Sequence, residues 1–385
     1  MKFVLAPDSF KESMSAAEAV AAMERGVRAA CAGGPVPEVV GVPMADGGEG
    51  FTEVIALALG AELRTVVVPD TLGRDTEATF AYDPDERLAV LECAQAVGLE
   101  AVAPEDRDIL ASSTVGVGRL IVAALDAGAE RIVIGLGGSA TNDAGAGMLT
   151  ALGVRLLDSD GADVEPAPAH FHDIASIDAS GLDPRLSQVS VEVASDVTNP
   201  LLGENGASAV FGPQKGASPD QVKQLDDALA HFATVAGHTA GEGDDSPAAA
   251  PGAGAAGGLG YALIAFCGAT LRPGVDIVVE LTGLEQAVAG ADLVITGEGS
   301  IDAQTLSGKT PAGVAALAAR AGVPCLALAG RIGAGAEKLY DHGVTAILPI
   351  LPGAMDLEDA LTTGPDNLAN TTEAALRLFL AARAG

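Results

Sequence analysis

Short apolar runs alternate with longer amphipathic, alanine-rich stretches along most of this chain. Phe3–Ala6 is a run of strand type. Ala16–Ala30 carries apolar residues at helical spacing behind Ser15, a residue suited to an N-cap. The alternation continues with a strand-like Val39–Val42 and a helical Glu49–Leu59 that ends at Gly60. Ile132–Ile134, Leu293–Thr296, Cys325–Ala329 and Ala346–Leu351 are further strand runs, each next to a helical pattern. This order predicts an α/β fold with a largely parallel sheet. Leu63–Val97 breaks the pattern, because LRTVVVPD, ATFAYD and LAVLECAQAVG are joined by turns with no helix between them. Hairpins are expected there, and with them a second, mixed-sheet domain beginning near residue 63. The stretch Gly241–Gly260 starts as a loop by composition.

Composition narrows the picture. A chain of 385 residues is long for one core, so two domains are expected. Aromatic residues make up 3% and Trp is absent, so Val, Leu, Ile and Ala must fill the interior. A formal charge of −31 argues against nucleic acid and against anionic membrane surfaces, both of which need clustered cations. Small anionic ligands remain open, since a few local cations and helix N-termini suffice for them. Cys31, Cys93, Cys267 and Cys325 are widely spaced and form no CxxC pair, which predicts reduced thiols in a cytoplasmic protein. The N-terminal apolar run is too short for a signal peptide, and no run of about 18 apolar residues is present.

The stretch RIVIGLGGSATNDAGAGM, Arg131–Met148, passes from an apolar run through glycines into small residues. A strand, a glycine turn and a helix start would give that pattern, and such a turn usually holds a phosphate. Gly135-x-Gly137-x-x-Ala140 fits the dinucleotide fingerprint, with Asp158 at about the right distance for a ribose contact. An NAD(P)-dependent dehydrogenase using the Gly135–Ala140 turn is therefore one reading. Against it, Asp143 would face the pyrophosphate, and the motif lies over 130 residues into the chain. Gly252-x-Gly254-x-x-Gly257 follows no strand, which leaves a turn capping a helix or a backbone nest for phosphate. GSIDAQTLSGKT ends like a Walker A loop but has Ala303 where glycine is required. Gly308-Lys309-Thr310-Pro311 still sets an ammonium beside an expected helix start.

Of six lysines, Lys11, Lys215 and Lys309 lie in dense polar or glycine-rich motifs, a placement suited to an anionic ligand. Carboxylates recur in turns after strand runs: Asp8, Asp46, Asp196, Glu298 and Asp302. Each alone suits a turn or cap. Together, beside Asn142 and Asp143, they suit a cleft for Mg²⁺ and a hydroxylated substrate. The histidines, His170, His172, His231, His238 and His342, fall outside these motifs, and nothing in sequence pairs Ser139 with one.

APDSFKESMSA, VPMADGGEG, GLGGSATNDAGAGM, SDVTNPLLGENGASAVFGPQKGAS, GAGAAGGLG and DLVITGEGSIDAQTLSGKTPAGVA occur in this order. Together they resemble the bacterial type I glycerate kinases over nearly the whole chain. The resemblance implies ATP- and Mg²⁺-dependent phosphorylation of D-glycerate, with 2-phosphoglycerate the usual product and 3-phosphoglycerate the less common one. It implies a flavodoxin/Rossmann-like parallel-sheet domain with a second mixed α/β domain inserted, and an active site between them. Boundaries of 1–62 plus 280–385 and of 63–279 follow from joining this to the pattern above. On this reading the phosphate is one to be transferred.

The resemblance then implies roles. Backbone N–H groups of Gly137, Gly138 and Ser139 and of the Gly254, Gly257 and Gly258 turn cradle phosphates, with Ser9 and Asn142 also in binding positions. Lys11, Lys215 and Lys309 supply charge. Asp143, Asp196 and Glu298 are the Mg²⁺ candidates. Asp46 or Asp302 orients the glycerate hydroxyls, one of them taking the proton. The partners are then ATP and D-glycerate, and a homo-oligomer is compatible with them. Four positions depart from the family pattern. Glu12 and Ala144 stand where Gly is frequent, and Ser195 where Cys is, all three read as packing swaps. Ser300 stands where Arg is frequent, and there a cation is lost.

Overall fold

A computed structural model describes residues 1–237, 246–306 and 308–383. His238, the start of the expected loop at 241–245, and Ser307 lie outside the described residues. Along the chain the strands are β1 (Lys2–Leu5), β2 (Glu38–Gly41), β3 (Glu62–Pro69), β4 (Asp75–Asp83), β5 (Leu88–Glu92), β6 (Arg131–Gly135) and β7 (Arg155–Leu157). They continue with β8 (Ser176–Asp178), β9 (Ser190–Ala194), β10 (Thr270–Arg272), β11 (Leu293–Ile301), β12 (Cys325–Ile332) and β13 (Ala346–Pro349).

The chain divides into two compact units, residues 1–46 with 273–385, and residues 47–272. Both division points fall earlier than the expected 62/63 and 279/280. The helix Phe51–Leu59 packs on β3, β4 and β5, which ties it to the second unit. The helix Gly274–Thr282 packs on the helix Thr310–Arg320, which ties it to the first.

In the first unit the order β13-β12-β11-β1-β2 is parallel throughout. This is the flavodoxin-like 2-1-3-4-5 arrangement, in which the strand order reverses between β1 and β11. The helix Ala16–Ala30 starts with a capping box: the Ser15 hydroxyl accepts from Glu18 N, and the Glu18 carboxylate accepts from Ser15 N. It crosses the helix Gly364–Arg383 at Gly26, where an added Cβ would lie 2.3 Å from Ala369 O. Phe3, Leu5, Met23, Val27, Ile295, Leu328 and Leu376 fill this core. Burying each such side chain contributes about 1.5–3 kcal/mol.

In the second unit the order is β10-β9-β6-β5-β4-β3. β10, β9, β6 and β5 run parallel, and β5, β4 and β3 form the antiparallel meander that the helix-free stretch predicts. β7 and β8 pair separately. Phe80, Leu91, Leu120, Ile134, Met148, Phe171, Phe232 and Tyr261 anchor the core.

Candidate active site

In the first unit the candidate residues gather where the strand order reverses. After β1 the backbone stays bonded to β11, with Ala6 N donating to Ile295 O at 2.7 Å and Asp8 N to Gly297 O at 2.9 Å. Asp8 is thereby fixed at the carboxyl end of the sheet, the usual ligand position in such folds. One of its oxygens accepts from Ser9 N at 2.6 Å, and the other from Thr310 Oγ1 at 2.6 Å. Thr310 opens the helix Thr310–Arg320, whose N-terminus has no side-chain cap. Glu298, further along β11, accepts from Thr305 Oγ1 at 2.7 Å and from Lys309 Nζ at 3.3 Å.

Electrostatics follow from this crowding. Burial, then the Asp46 carboxylate, pushes Asp8 up from 3.8 to about 7, against the pull of the Thr310 bond. Burial also raises Glu298, opposed by Thr305 and Lys309, while the Asp46 charge adds to the rise. Asp46 itself is half-buried past β2. Asp302 acts locally, since its Oδ1 accepts from Gln304 N at 2.8 Å and closes the turn Ala303–Leu306. Lys11 is exposed, at the tip of a turn tied by Phe10 and Met14. Glu12 beside it has φ 63°, and Ala144 in the other unit has φ 50°. Both stand where the family pattern favours glycine, so the reason is backbone conformation and not the packing swap expected from the sequence.

In the second unit β6 does not lead into the helix that a dinucleotide site requires. Ten residues separate Gly135 from a helix of only six, Ala146–Ala151. The intervening loop is stitched to residues 97–99, with Ala140 N donating to Val97 O at 2.8 Å and Leu99 N to Gly138 O at 2.7 Å. Gly137 N donates to Gly47 O at 3.3 Å, and a Cβ at 137 would lie 2.7 Å from Gly48 Cα. These glycines let Gly47 and Gly48 of the same unit seat on the strand ends. Asp158 accepts from Asp160 N and Ala162 N in a turn after β7, outside the main sheet. The dehydrogenase reading has no structural support.

Lys215 is the centre of this loop. It is 3% exposed, and its Nζ donates to Ser139 Oγ at 3.0 Å and to Thr141 O at 2.7 Å. Burial draws it down from 10.5 to about 8. No carboxylate is in ion-pair contact with it among the described residues, and the Asp143 charge, acting through space, opposes the fall. Thr141 Oγ1 and Asn142 Oδ1 are buried without partners among the described residues. The Asn142 amide is held from its other side, Nδ2 donating to Ser208 Oγ at 3.0 Å.

Two expectations change here. Asp143 is fully buried, and its carboxylate accepts from Thr114 N, Thr114 Oγ1, Gly145 N and Gly147 N, so a bound cation would have to break these bonds. It organises two helix starts instead. Gly254, Gly257 and Gly258 are buried against backbone. Cβ atoms there would lie 2.3 Å from Pro200 O, 2.0 Å from Thr141 O and 2.7 Å from Ala144 Cα. Gly254 N already donates to Asn199 O at 2.9 Å. The turn supports the Thr141–Ala144 loop and offers no open phosphate nest at Gly254. Asp196 is half-buried just past β9.

Two acids received no individual role from the sequence, half-buried Asp8, named there only as one of a cleft's carboxylates, and fully buried Glu92. Asp8 carries a signal, in APDSF after a strand run. Glu92 ends β5 and is 2% exposed, accepting from Thr52 N at 2.6 Å at the start of the helix Phe51–Leu59. Burial pushes it to about 7. Among the described residues no group of three or more His, Cys, Asp or Glu side chains is arranged to hold a metal. Mg²⁺ does not need one, since one or two carboxylates with substrate phosphates and water complete its shell. No helix among them is long and apolar enough to cross a membrane.

Comparison with known proteins points the same way across the whole length. Glycerate kinase of Bacillus subtilis is 48% identical over 96% of this chain and 96% of its own. Glycerate 2-kinase of Escherichia coli is 45% identical over 96% of this chain and 95% of its own. A crystal structure assigned as glycerate kinase 2 from Salmonella typhimurium LT2 superposes with a TM-score of 0.86 at 45% identity, covering 100% of this chain and 99% of that one. The sequence pattern of the Glycerate kinase family matches residues 3–380, and this chain belongs to that family.

Proposed function

We propose that this protein transfers the γ-phosphate of ATP to D-glycerate and releases 2-phosphoglycerate and ADP. The observation that carries the reading is Lys215: a buried ammonium with no carboxylate in ion-pair contact among the described residues, only the charge of Asp143 acting on it through space, and one N–H unspent. A buried cation of this kind is stable only with an anion or strong acceptors to meet it. A phosphate oxygen supplies that charge, with the Lys215 ammonium and the Ser139 hydroxyl as its donors, while Asn142, whose Nδ2 is given to Ser208, holds the loop in place.

The carboxylate cluster of the first unit suits the acceptor. As a glycerate hydroxyl oxygen bonds to the γ-phosphorus, the bond from that phosphorus to the bridging oxygen breaks and ADP leaves. The hydroxyl proton must pass to a base. Asp8 suits this role best, because a base with a pKa near the working pH balances availability against strength. Asp46 orients the substrate beside it, and Asp302 keeps its turn. Lys309 and the start of its helix offset developing negative charge. Ser9 and Lys11 stand at the same strand end. Glu298 in the first unit and Asp196 in the second each remain a candidate for Mg²⁺, with Asp143 withdrawn from that set. When bound the ion would neutralise charge on the phosphates.

Phosphorus NMR of a mixture of ATP, Mg²⁺ and D-glycerate tests the reading. A 2-phosphoglycerate signal growing with ADP is expected, and chelation by EDTA should stop it. A 3-phosphoglycerate signal would overturn the regiochemistry, and no ADP formation would overturn the kinase assignment.

A further inference from the structure

β11 and β12 stay in register beyond the expected strand ends: Glu298 lies beside Ala329, Ser300 beside Arg331, and Ile301 beside Ile332. In a pleated sheet, register neighbours and residues two apart share a face. Glu298, Ser300 and Arg331 therefore stand on one face of the sheet, the face on which Thr305 and Lys309 reach Glu298. Arg331 is exposed and has no hydrogen-bond or ion-pair partner among the described residues, although Glu298 is one pleat away on its neighbour strand. The other groups here are predominantly acidic: Asp8, Asp46, Glu298 and Asp302, with Lys309 already bonded to Glu298. Lys11 N lies on the Gly299 side of β11, the opposite face, so an anionic substrate on the Ser300 face needs a further cation. Ser300 cannot supply it, and its short side chain leaves room for the longer one beside it.

We infer that Arg331, beside Ser300 in the β11–β12 register, binds the carboxylate of D-glycerate. A guanidinium matches a carboxylate with two parallel N–H···O bonds, which fixes the orientation of a small substrate as well as its charge. The inference rests on the glycerate-kinase reading, and wild-type turnover of D-glycerate tests that reading separately.

The experiment is steady-state kinetics on wild type, R331S, R331K and the swap S300R/R331S, with melting temperatures as controls. R331S should raise KM for D-glycerate on the order of 10- to 100-fold, the worth of hydrogen bonds to a charged group, and leave KM for ATP unchanged. R331K should recover little, because an ammonium does not pair in the bidentate manner. The swap should restore most of the affinity, since it returns a guanidinium to the same face. An unchanged KM for D-glycerate in R331S, or a rise confined to ATP, would overturn the inference. So would a swap variant as weak as R331S with a normal melting temperature. Wild-type protein that does not phosphorylate D-glycerate would instead overturn the reading beneath it.

Discussion

The two units carry similar residue types and use them in opposite ways. In the first unit, Asp8, Asp46 and Glu298 act on one another at open strand ends, and burial with mutual repulsion holds Asp8 near neutrality. In the second unit, Asp143 is buried more deeply but is saturated by four donors, so its charge is consumed in joining two helix starts. The lysines invert the pattern. Lys309 is paired with Glu298 and keeps N–H groups to spare, whereas Lys215 is sealed in with no carboxylate in ion-pair contact among the described residues. Residue type does not decide whether a charged group is chemistry or scaffold. What decides is how many of its lone pairs or protons the chain has already taken.

The largest expected effect tests the open side of this comparison. Asp8→Asn should cut single-turnover phosphorylation by roughly 10²–10⁴-fold, the usual worth of a positioned base, while ATP affinity holds. Asp302→Asn should cost much less, because that side chain is a turn cap. A reversed order in rapid-quench measurements would make Asp302 the proton acceptor. Asp8→Asn should also flatten the pH profile of stability. Between pH 3.8 and about 7 native Asp8 keeps a proton that the unfolded chain has lost, so wild-type stability falls as pH rises across that window.

The sealed side gives the next effect. Lys215→Met should abolish productive phosphate binding, a loss on the order of 10²-fold or more in turnover. It should also make the free protein more stable, by about 1–3 kcal/mol at pH 7, because a buried charge is replaced by an apolar chain of similar length. The sign follows from the lowered pKa. The stability that neutral Lys215 allows is complete above pH 10.5, declines as pH falls to about 8, and is gone below it. Conversely, nucleotide affinity in the wild type should weaken as pH rises through 8 and the ammonium is lost. Calorimetric titration at pH 7 and pH 9.5 measures that, and equal affinities would place the phosphate elsewhere.

Asp143→Asn separates scaffold from metal ligand. An amide offers an N–H₂ where the loop presents N–H donors, so a loss of about 3 kcal/mol in unfolding free energy is expected. The Mg²⁺ concentration for half-maximal rate should hold in the folded fraction. A higher half-maximal Mg²⁺ concentration at unchanged stability would return Asp143 to the metal set.

Much of the fold was legible because local signals and burial agree. Ser15 and Glu18 form the capping box that starts Ala16–Ala30, and Gly60 takes the left-handed conformation that ends Phe51–Leu59. Strand ends were less legible. Gly297 to Ser300 read as a turn, yet β11 continues through them, since ladder pairing with β12 and not side-chain type keeps them extended. The site was legible as a set of residues but not as assignments. The Thr310 hydroxyl that fixes Asp8 comes from 302 positions away, and the four donors on Asp143 are mostly backbone. Neither leaves a spacing in the sequence.

The smallest effect compares one backbone conformation in the two settings. Glu12 and Ala144 both sit in the left-handed region, which costs a residue with a Cβ about 1–2 kcal/mol. Glu12 is exposed, so Glu12→Gly removes strain and little else. It should stabilise the protein by about 1 kcal/mol after the greater freedom of glycine in the unfolded chain is counted. Ala144 is fully buried among the apolar residues of the second unit, against Gly257 and Gly258. Ala144→Gly gains the same relief but gives up a buried methyl group, worth about 0.8 kcal/mol, and the contacts around it. The two terms nearly cancel, and a net change within about 0.5 kcal/mol is expected. Urea unfolding of both variants beside the wild type reads the difference directly. Equal stabilisation would mean that the Ala144 methyl group contributes nothing to its core. A destabilised Glu12→Gly would mean that the Glu12 side chain holds the turn that presents Lys11, and would make that turn as built-in as the loop around Lys215.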